Sequence, residues 1–382
     1  MDGGIFMSKG EQFKYQIVSQ FLNGKITRRE SALLLQVRER SVARLARRVQ
    51  AKGFLGATHA GRGRKAFNAI EEKISNRVMN LVKKKYYDFN MTHCLEILKK
   101  EHGIELSYST FRRLCHKENM VKRKKKRRAR IHCLRARMPS EGMLLQMDGS
   151  HHHWNRKEMT CLIAAIDDAT SNIPHAEFFK YEGTLPCMAI VQRVVEKKGI
   201  PMAIYVDKAE WFGGRNKETV CQFKRACGEL GIKIIFAHSP QAKGRIERVW
   251  NTMQDRLIPE MRLKKITTLP EMNQYLQNEF LPNYWEKTNT VSAGSPDVQY
   301  RPVPMGTELR EIFCIKDYRR VNNDNTIRWK KKVYQIQTEG LKHSIARRRI
   351  EIRVYQDQTW KVFFAGRLME AIPYGMNIKL AA

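Results

Sequence analysis

The feature that most constrains this chain is the order of apolar strands and amphipathic helices between residues 141 and 262. Three strand-like runs, GMLLQMDGS, EMTCLIAAIDDAT and NIPHAEFFKY, follow one another directly. Helix-like and strand-like runs then alternate as TLPCMAIVQRVVEKKG, PMAIYVDKAEWF, KETVCQFKRACGELG and IKIIFAHSP, and a last helix follows. Consecutive strands can pair antiparallel, whereas strands separated by helices need crossover connections. The pattern therefore predicts a mixed sheet with helices on its faces.

We interpret this region as an α/β core with a ribonuclease H-like arrangement, and the flanking sequence as separate domains. We predict a helix-turn-helix domain at 1–60, a second helical domain at 61–120, a basic linker at 121–140, the core at 141–262, a helical connector at 263–305 and a small β-barrel at 306–382. In the C-terminal part, short alternating runs such as TIRWKKKVYQIQ, RRRIEIRVYQ and TWKVFFAGRLME indicate strands. The clusters 330–332 and 347–349 add a basic surface there, with a neutral scaffold as the alternative.

The N-terminal region has the pattern of a DNA-reading unit. Thr27 and Glu30 form a T-x-x-E capping box, and an Arg-rich helix follows after a short connection, from about Ser41 to Ala51. The alternative is an ordinary three-helix bundle with solvated arginines. LSYSTFRRLCHKEN indicates a second recognition-type helix, and KRKKKRRAR a basic tether. The predicted DNA-binding residues of these segments are Arg44, Arg47, Arg48, Arg62, Arg64, Arg112, Arg113, Lys124, Lys125 and Arg127.

The charge of the chain favours a polyanionic partner. There are 71 Lys and Arg residues against 38 Asp and Glu, a net charge of +33. Nucleic acid is the leading partner for a chain this basic, and an anionic membrane surface is the weaker alternative. No apolar run reaches the ~18 residues of a membrane span, and the eight cysteines form no C-x-x-C pair. We expect reduced thiols, no membrane association and a cytoplasmic, DNA-associated protein.

Three carboxylates are placed to form a metal site. Asp148 and Asp207 each end an apolar strand-like run, and those strands lie side by side in the predicted sheet. Glu247 lies at the edge of a helical apolar stripe, which predicts a partly buried carboxylate. Carboxylates that converge need a compensating charge, and their hard oxygen atoms suit Mg²⁺ or Mn²⁺. Two such ions can activate a nucleophile and stabilise a leaving oxygen.

Other polar residues near these runs fit less specific roles. Asp167 and Asp168 are interpreted as hairpin-turn residues and stay outside the triad. The run from His151 to His153 fits the lining of a site better than a chelate, because neighbours in a strand point to opposite faces. The pairs Cys115-His116 and His132-Cys133 match no common zinc spacing.

The segments MDGSHHHW, LIAAIDDAT, ELGIKIIFAHSPQAKGRIERVWNTMQDRL and FLPNYW resemble the catalytic region of bacterial insertion-sequence transposases. The resemblance is to the DDE, retroviral-integrase-like superfamily, closest to the ISNCY-type group, over about 141–305. It implies that Asp148, Asp207 and Glu247 are the catalytic metal-binding triad. It also implies that the loop ahead of the glutamate approaches DNA through Gln241, Lys243, Gly244 and Arg245. The partners it implies are double-stranded DNA at element ends and targets, and further copies of the chain in the active complex.

Two other interpretations compete with a transposase. A ribonuclease H-like nuclease without strand transfer shares the core but has no need of tandem DNA-reading units. A DNA-binding regulator derived from a transposase with an inactive core is the second alternative. Lys208-Ala209 slightly favours the regulator, because the ISNCY-type group usually has Arg-His there, whereas the intact Asp–Asp–Glu set argues against it.

Overall fold

The computed structural model describes residues 7–59, 61, 70–120, 136–209, 212, 221–237, 244–341 and 343–374. The chain divides into two compact units, Met1–Arg77 and Val78–Ala382. This division does not follow the boundaries of the six predicted domains, which stay predictions. No helix in the described ranges is both long and apolar enough to cross a membrane.

The first unit contains three helices, α1 (Lys9–Leu22), α2 (Arg28–Leu34) and α3 (Glu39–Lys52), followed by a 3₁₀ turn at Gly53–Ala57. Capping boxes begin α1 and α2, because Ser8 and Glu11, then Thr27 and Glu30, satisfy the first backbone N–H groups. The predicted capping box at Thr27 is therefore confirmed. The helices close around a small core that contains Val18, Ala46, Val49 and Ala57. Whether α2 and α3 act as a helix-turn-helix stays a prediction.

A second set of helices follows as α4 (Glu72–Lys84), α5 (Met91–His102) and α6 (Tyr108–Lys117). Side-chain caps at Asn90 and Ser107 begin α5 and α6, and Gly103 in the left-handed conformation ends α5. The buried side chains of this set include Val78, Tyr86, Leu98, Phe111 and Cys115. From Val78 onward these helices belong to the larger unit.

The centre of the larger unit is a five-stranded mixed sheet in the order β3-β2-β1-β4-β5. Its strands are β1 (Leu145–His152), β2 (Thr160–Asp167), β3 (His175–Phe179), β4 (Ala203–Val206) and β5 (Lys233–Phe236). The first three form an antiparallel meander, and β4 and β5 add in parallel. Helices α7 (Thr184–Lys198) and α8 (Gln222–Glu229) make the crossovers. This topology agrees with the predicted ribonuclease H-like core.

The two faces of the sheet have separate apolar cores. On one face Leu145, Met147, Ile204 and Val206 pack with residues of α7 and α8. On the other face Leu162 and other side chains of β2 and β3 pack with α9 (Gly244–Leu263), α10 (Leu269–Tyr275) and a π-helical continuation at Leu276–Trp285. Successive side chains of a strand point to opposite faces. The face toward α9 therefore receives Gln146, Asp148 and Ser150 of β1.

The C-terminal part follows two short helices, α11 (Glu286–Thr288) and α12 (Leu309–Ile312). Its strands are β6 (Ile315–Arg320), β7 (Thr326–Trp329), β8 (Lys332–Ile336), β9 (Arg349–Val354), β10 (Trp360–Phe364), β11 (Arg367–Met369) and β12 (Ala371–Pro373). They form a four-stranded and a three-stranded sheet around one core, so a closed barrel stays a prediction. The run TIRWKKKVYQIQ is a hairpin rather than one strand, because Lys330 and Lys331 adopt positive φ angles and reverse the chain.

Candidate active site

Asp148 and Asp207 lie level with each other on one face of the sheet. The parallel pairing matches Leu145 with Ile204 and Gln146 with Tyr205. Asp148 and Asp207 each lie three residues after the first pair, so the same register places them side by side. Met147 and Val206, which precede them, both point into the core beneath α7 and α8. Alternation therefore directs both carboxylates to the opposite face, toward α9. Adjacent strands are only ~4.8 Å apart, so the two negative charges are close neighbours.

One expectation about Asp148 was wrong in detail. The strand does not end there: β1 continues to His152, and Asp148 pairs with Ala164 in mid-strand. What ends at Asp148 is the fully buried run, because Asp148 and Gly149 are both partly exposed. Asp207 directly follows the last residue of β4, as predicted.

Helix α9, which carries Glu247, packs against the face of the sheet that bears Asp148. Its predicted apolar stripe is confirmed, with Ile246, Val249, Trp250, Met253 and Leu257 all buried. The Trp250 indole Nε1 donates a hydrogen bond of 3.1 Å to Asp148 Oδ2, and Gln254 Nε2 donates one of 3.3 Å to Ser150 Oγ. Glu247 precedes Trp250 by three residues, about 4.5 Å along the helix axis. The helix is thus fixed against β1, and Glu247 lies about one helical turn before the residue that contacts Asp148.

The Glu247 carboxylate is exposed rather than partly buried, because the apolar stripe turns its neighbours inward and leaves it at the helix surface. Within the described residues, three potential metal-ligand atoms lie within 4.8 Å of one another only in the set of His151, Cys161 and Glu182. Asp148, Asp207 and Glu247 therefore form an open arrangement. A ligand that bridges them has to supply part of the site.

Sequence reasoning missed Glu182, a carboxylate next to this site. It lies 3.3 Å from His151 Nε2 with its side chain only 10% exposed. A Cβ atom on Gly149 would come within 2.6 Å of the Glu182 carboxylate, so the glycine makes room for it. Burial, with repulsion from Asp148 and Asp207, raises the pKa of Glu182 despite the nearby His151. Burial also raises the pKa of Cys161 to about 12, which disfavours its thiolate.

Burial is the first cause of the raised pKa of Glu182, and repulsion from Asp148 and Asp207 adds to it in a chain whose net charge is strongly positive. Oxygen donors in a negative field are what a hard divalent cation requires. The residues present therefore fit Mg²⁺ or Mn²⁺. The only sequence signal for Glu182 was its position just before α7. The residue pattern did not distinguish it from an ordinary acidic residue in a loop.

Asp167 and Asp168 differ from each other. Asp167 is the predicted turn residue, since its Oδ1 accepts hydrogen bonds from the Ala169 and Thr170 backbone N–H groups at 2.9 and 3.0 Å. Asp168 is fully buried and accepts from Gln146 Nε2 at 2.7 Å and from Arg245 Nη1 at 2.6 Å. It therefore holds the first turn of α9 against the sheet, two residues before Glu247.

The predicted DNA-binding residues fall in three groups. Arg44, Arg47 and Arg48 are exposed on α3, and Arg112 and Arg113 are exposed on α6. Arg245 is only 17% exposed in its side chain and is paired with Asp168, so its position differs from the display expected of a DNA-contacting loop. The remaining predicted residues lie outside the described ranges: Arg62, Arg64, Lys124, Lys125, Arg127, Gln241 and Lys243.

Two curated proteins are similar to the chain over most of its length. One is the "Putative transposase y4bF" of Sinorhizobium fredii (strain NBRC 101917 / NGR234), 30% identical over 97% of this chain and 82% of the relative. The other is the "Transposase for insertion sequence IS1202" of Streptococcus pneumoniae, 30% identical over 85% of this chain and 77% of the relative. The chain belongs to the insertion-sequence transposases. No protein-family model matches the sequence.

Two solved structures show weaker likeness to the transposase. The HTLV-2 integrase catalytic core domain in complex with magnesium has a TM-score of 0.29 and 17% identity, over 36% of this chain and 83% of that one. The simian T-cell lymphotropic virus intasome in complex with PP2A regulatory subunit B56 gamma has a TM-score of 0.34 and 14% identity. The match covers 77% of this chain and 98% of that one. TM-scores this low do not define a shared fold. The fold of the transposase is therefore described from its own strand order.

Proposed function

We propose that the transposase cleaves and rejoins DNA through a metal site formed by Asp148, Asp207 and Glu247. The observation that carries this proposal is the common face of Asp148 and Asp207, against which Trp250 holds the helix of Glu247. Asp148 and Asp207 would hold Mg²⁺ or Mn²⁺ between the strands, and Glu247 would complete the ligand set from α9. Bound divalent ions lower the pKa of a water molecule and stabilise the leaving oxygen.

The protein's own groups then have distinct tasks. The indole of Trp250 orients Asp148, and the Asp168–Arg245 pair fixes the start of α9 and so the position of Glu247. The first reaction is hydrolysis of a phosphodiester at an element end. In the second, the freed 3′-hydroxyl attacks a phosphodiester of the target DNA, and the 3′-oxygen of the target leaves.

The rest of the chain would deliver the DNA. We place element-end recognition in the helical units at 1–60 and 61–120, and backbone contacts in the basic linker and the C-terminal β-domain. Exposed Arg44, Arg47, Arg112 and Arg113 suit phosphate contacts. The working complex contains double-stranded DNA and more than one copy of the chain, in the cytoplasm. The regulator alternative has only Lys208-Ala209 in its favour.

The test is cleavage of a labelled duplex that carries the terminal sequence of the element. Cleavage requires added Mg²⁺ or Mn²⁺ and stops with excess EDTA. Glu247→Gln, Asp148→Asn and Asp207→Asn each lower the cleavage rate by about three orders of magnitude or more and leave binding in a gel shift intact, and double variants are little worse than singles.

The matched control is Glu286→Gln, which makes the same change on an exposed helical residue and keeps the wild-type rate. Undiminished cleavage by Glu247→Gln, or full activity in EDTA, would place the chemistry on other residues. A chain that binds terminal DNA but does not cut it under any divalent ion would favour the regulator.

A further inference from the structure

The second helical set is fastened to the helix that carries Glu247. Asn90 Nδ2 donates a hydrogen bond of 2.7 Å to Asp255 Oδ2, and Arg262 donates to both carboxylate oxygens of Asp88, at 2.7 and 2.9 Å. Both pairs join residues just before or at the start of α5 to α9. They make the helices up to α6 part of the same compact unit as the catalytic sheet.

Two further contacts, each with one buried partner, strengthen this junction. His93 Nε2 lies 2.9 Å from Glu260 Oε1, with the His93 ring stacked on Phe89 at 3.9 Å. Arg256, 6% exposed, pairs with Glu96 and stacks over the Tyr284 ring at 4.0 Å. His93 and Arg256 are buried, so separation would leave each of them without a partner in a poorly hydrated place. We refer to this junction of residues 88–96 with residues 255–262 of α9 as the dock.

Between α6 and α9 the dock leaves an open cleft of about 1940 Å³. This exceeds the ~300–1,000 Å³ of small-molecule pockets, so its dimensions suit a polymer. One wall presents Arg112, Arg113 and His116 of α6, and the other presents Asn251, Thr252 and Asp255 of α9. The acid on the second wall, Asp255, is engaged by Asn90. The net charge of the cleft favours phosphates.

The cleft leads to the catalytic residue along one face of α9. Glu247, Asn251 and Asp255 are spaced by four residues and are all exposed, so they lie on one side of the helix. Asn251, at the near end of the cleft, is about 6 Å along the axis from Glu247, and Asp255 about 12 Å. Asn119 and Met120 also line the cleft, at the point where the chain continues into the basic run at 122–130.

We propose that this cleft holds the element-end DNA and leads it from α6 to Glu247 of the same chain, so that each chain cuts the end that its own α6 binds. The proposal rests on the proposed function. The dock sets a fixed distance between α6 and Glu247. DNA that follows the cleft from α6 would therefore be cut at a fixed number of nucleotides from the position that α6 binds. The partner is a phosphodiester backbone, recognised by the two arginines and followed to the carboxylates.

A mixed-complex experiment distinguishes this arrangement from reading and cutting by different chains. One chain carries Glu247→Gln, and the other carries Arg112→Gln and Arg113→Gln. The two chains have different tags, and complexes on terminal duplex are purified through both. We expect the mixed complex to cut no faster than the arginine variant alone, because no chain has both an intact α6 and an intact site.

Recovery of a large share of the wild-type rate by the mixed complex would overturn the proposal, since the α6 of one chain would then serve the site of another. If the two chains never purify together on DNA, the number of wild-type chains needed per duplex decides the question. Single-turnover cutting by wild type at one chain per duplex then supports the proposal, and its absence contradicts it. Wild type that cannot cut at all refutes the proposed function instead.

A single added charge tests the cleft as the path of the DNA. Asn119→Asp places a carboxylate on the α6 wall at a position whose positive φ angle tolerates Asp. It should weaken terminal-duplex binding by about three- to tenfold. Gln274→Glu makes the same amide-to-acid change on the exposed face of α10, outside the cleft, and should leave binding unchanged. Equal effects of the two variants would remove the cleft from the DNA path.

Discussion

The two helical sets of the N-terminal half look alike in sequence but use their acidic residues differently. In the first set, Glu11 and Glu30 close capping boxes with Ser8 and Thr27 on their own helices. In the second set, Asp88 and Glu96 pair with arginines of α9, 160 or more residues later in the chain. The first set forms its own compact unit, whereas the second, from Val78 onward, belongs to the unit with the catalytic sheet.

Basic helices alone therefore do not define how a DNA-reading element works. Exposed arginines are present in both sets, and charge therefore predicts DNA contact for both. The acidic residues determine whether a helical set is bonded to α9, the helix that carries Glu247. We expect the first set to contribute affinity, and the docked set to contribute both affinity and the placement of the scissile phosphate.

The largest effect should come from removing the arginines of each set in the full chain. Arg44→Gln with Arg47→Gln should weaken terminal-duplex binding by about 10- to 100-fold at moderate salt, and lower the salt slope by about 2. Cleavage of saturated duplex should keep its rate, because α3 lies outside the catalytic unit. Arg112→Gln with Arg113→Gln should lower binding and also the rate at saturation. Duplex binding and single-turnover cleavage, measured across a salt series, give the affinity and the rate for each double variant. Identical behaviour of the two double variants would mean that the two helical sets do not differ in function.

An intermediate effect is expected from loosening the dock. Arg262→Gln removes the two-pronged contact with Asp88, and the unfolding free energy of the larger unit should fall by about 1–3 kcal/mol. Cleavage should fall about tenfold, with products spread over neighbouring positions, since α6 would no longer be held at one distance from Glu247. Arg310→Gln is the control: its partner Asp357 is half exposed, and such pairs contribute only ~0–1 kcal/mol. Urea unfolding measures the loss of stability, and mapping of the cleavage products measures the spread of positions. Cleavage by Arg262→Gln at the wild-type rate and at a single position would show that the dock does not place the scissile phosphate.

The smallest effect concerns acid sensitivity of the dock. Burial would raise the pKa of Glu260, but the His93 imidazole and the Tyr275 hydroxyl outweigh it and lower the pKa below its ordinary value. The stabilisation from a lowered carboxyl pKa is complete above the unfolded value, near 4.5, and is lost as the pH falls through the folded value. Unfolding free energies measured between pH 7 and pH 3 should therefore decline less steeply for Glu260→Gln than for wild type. Parallel declines would mean that Glu260 has no part in the acid response.

The sequence predicted the sheet and its strand order well, because buried strands and crossover helices leave regular apolar patterns. It also identified Asp148, Asp207 and Glu247 as candidates. It did not reveal Glu182, whose role depends on the space above Gly149, nor the partnership of Asp168 with Arg245. Such contacts join residues distant in the chain and leave no periodic signal. For the same reason the dock through Asp88, Glu96, Arg256 and Arg262 was not predictable from any single segment.

Mn²⁺ binding to the full chain tests directly whether Asp148 and Asp207 hold the divalent ion, and it needs no knowledge of the element's DNA. The paramagnetic resonance signal of free Mn²⁺, followed during titration, measures the bound fraction directly. We predict saturable binding by wild type, and loss of that binding in the Asp148→Asn, Asp207→Asn double variant with its circular dichroism unchanged. Mn²⁺ bound as tightly by the double variant as by wild type would show that Asp148 and Asp207 do not hold the ion.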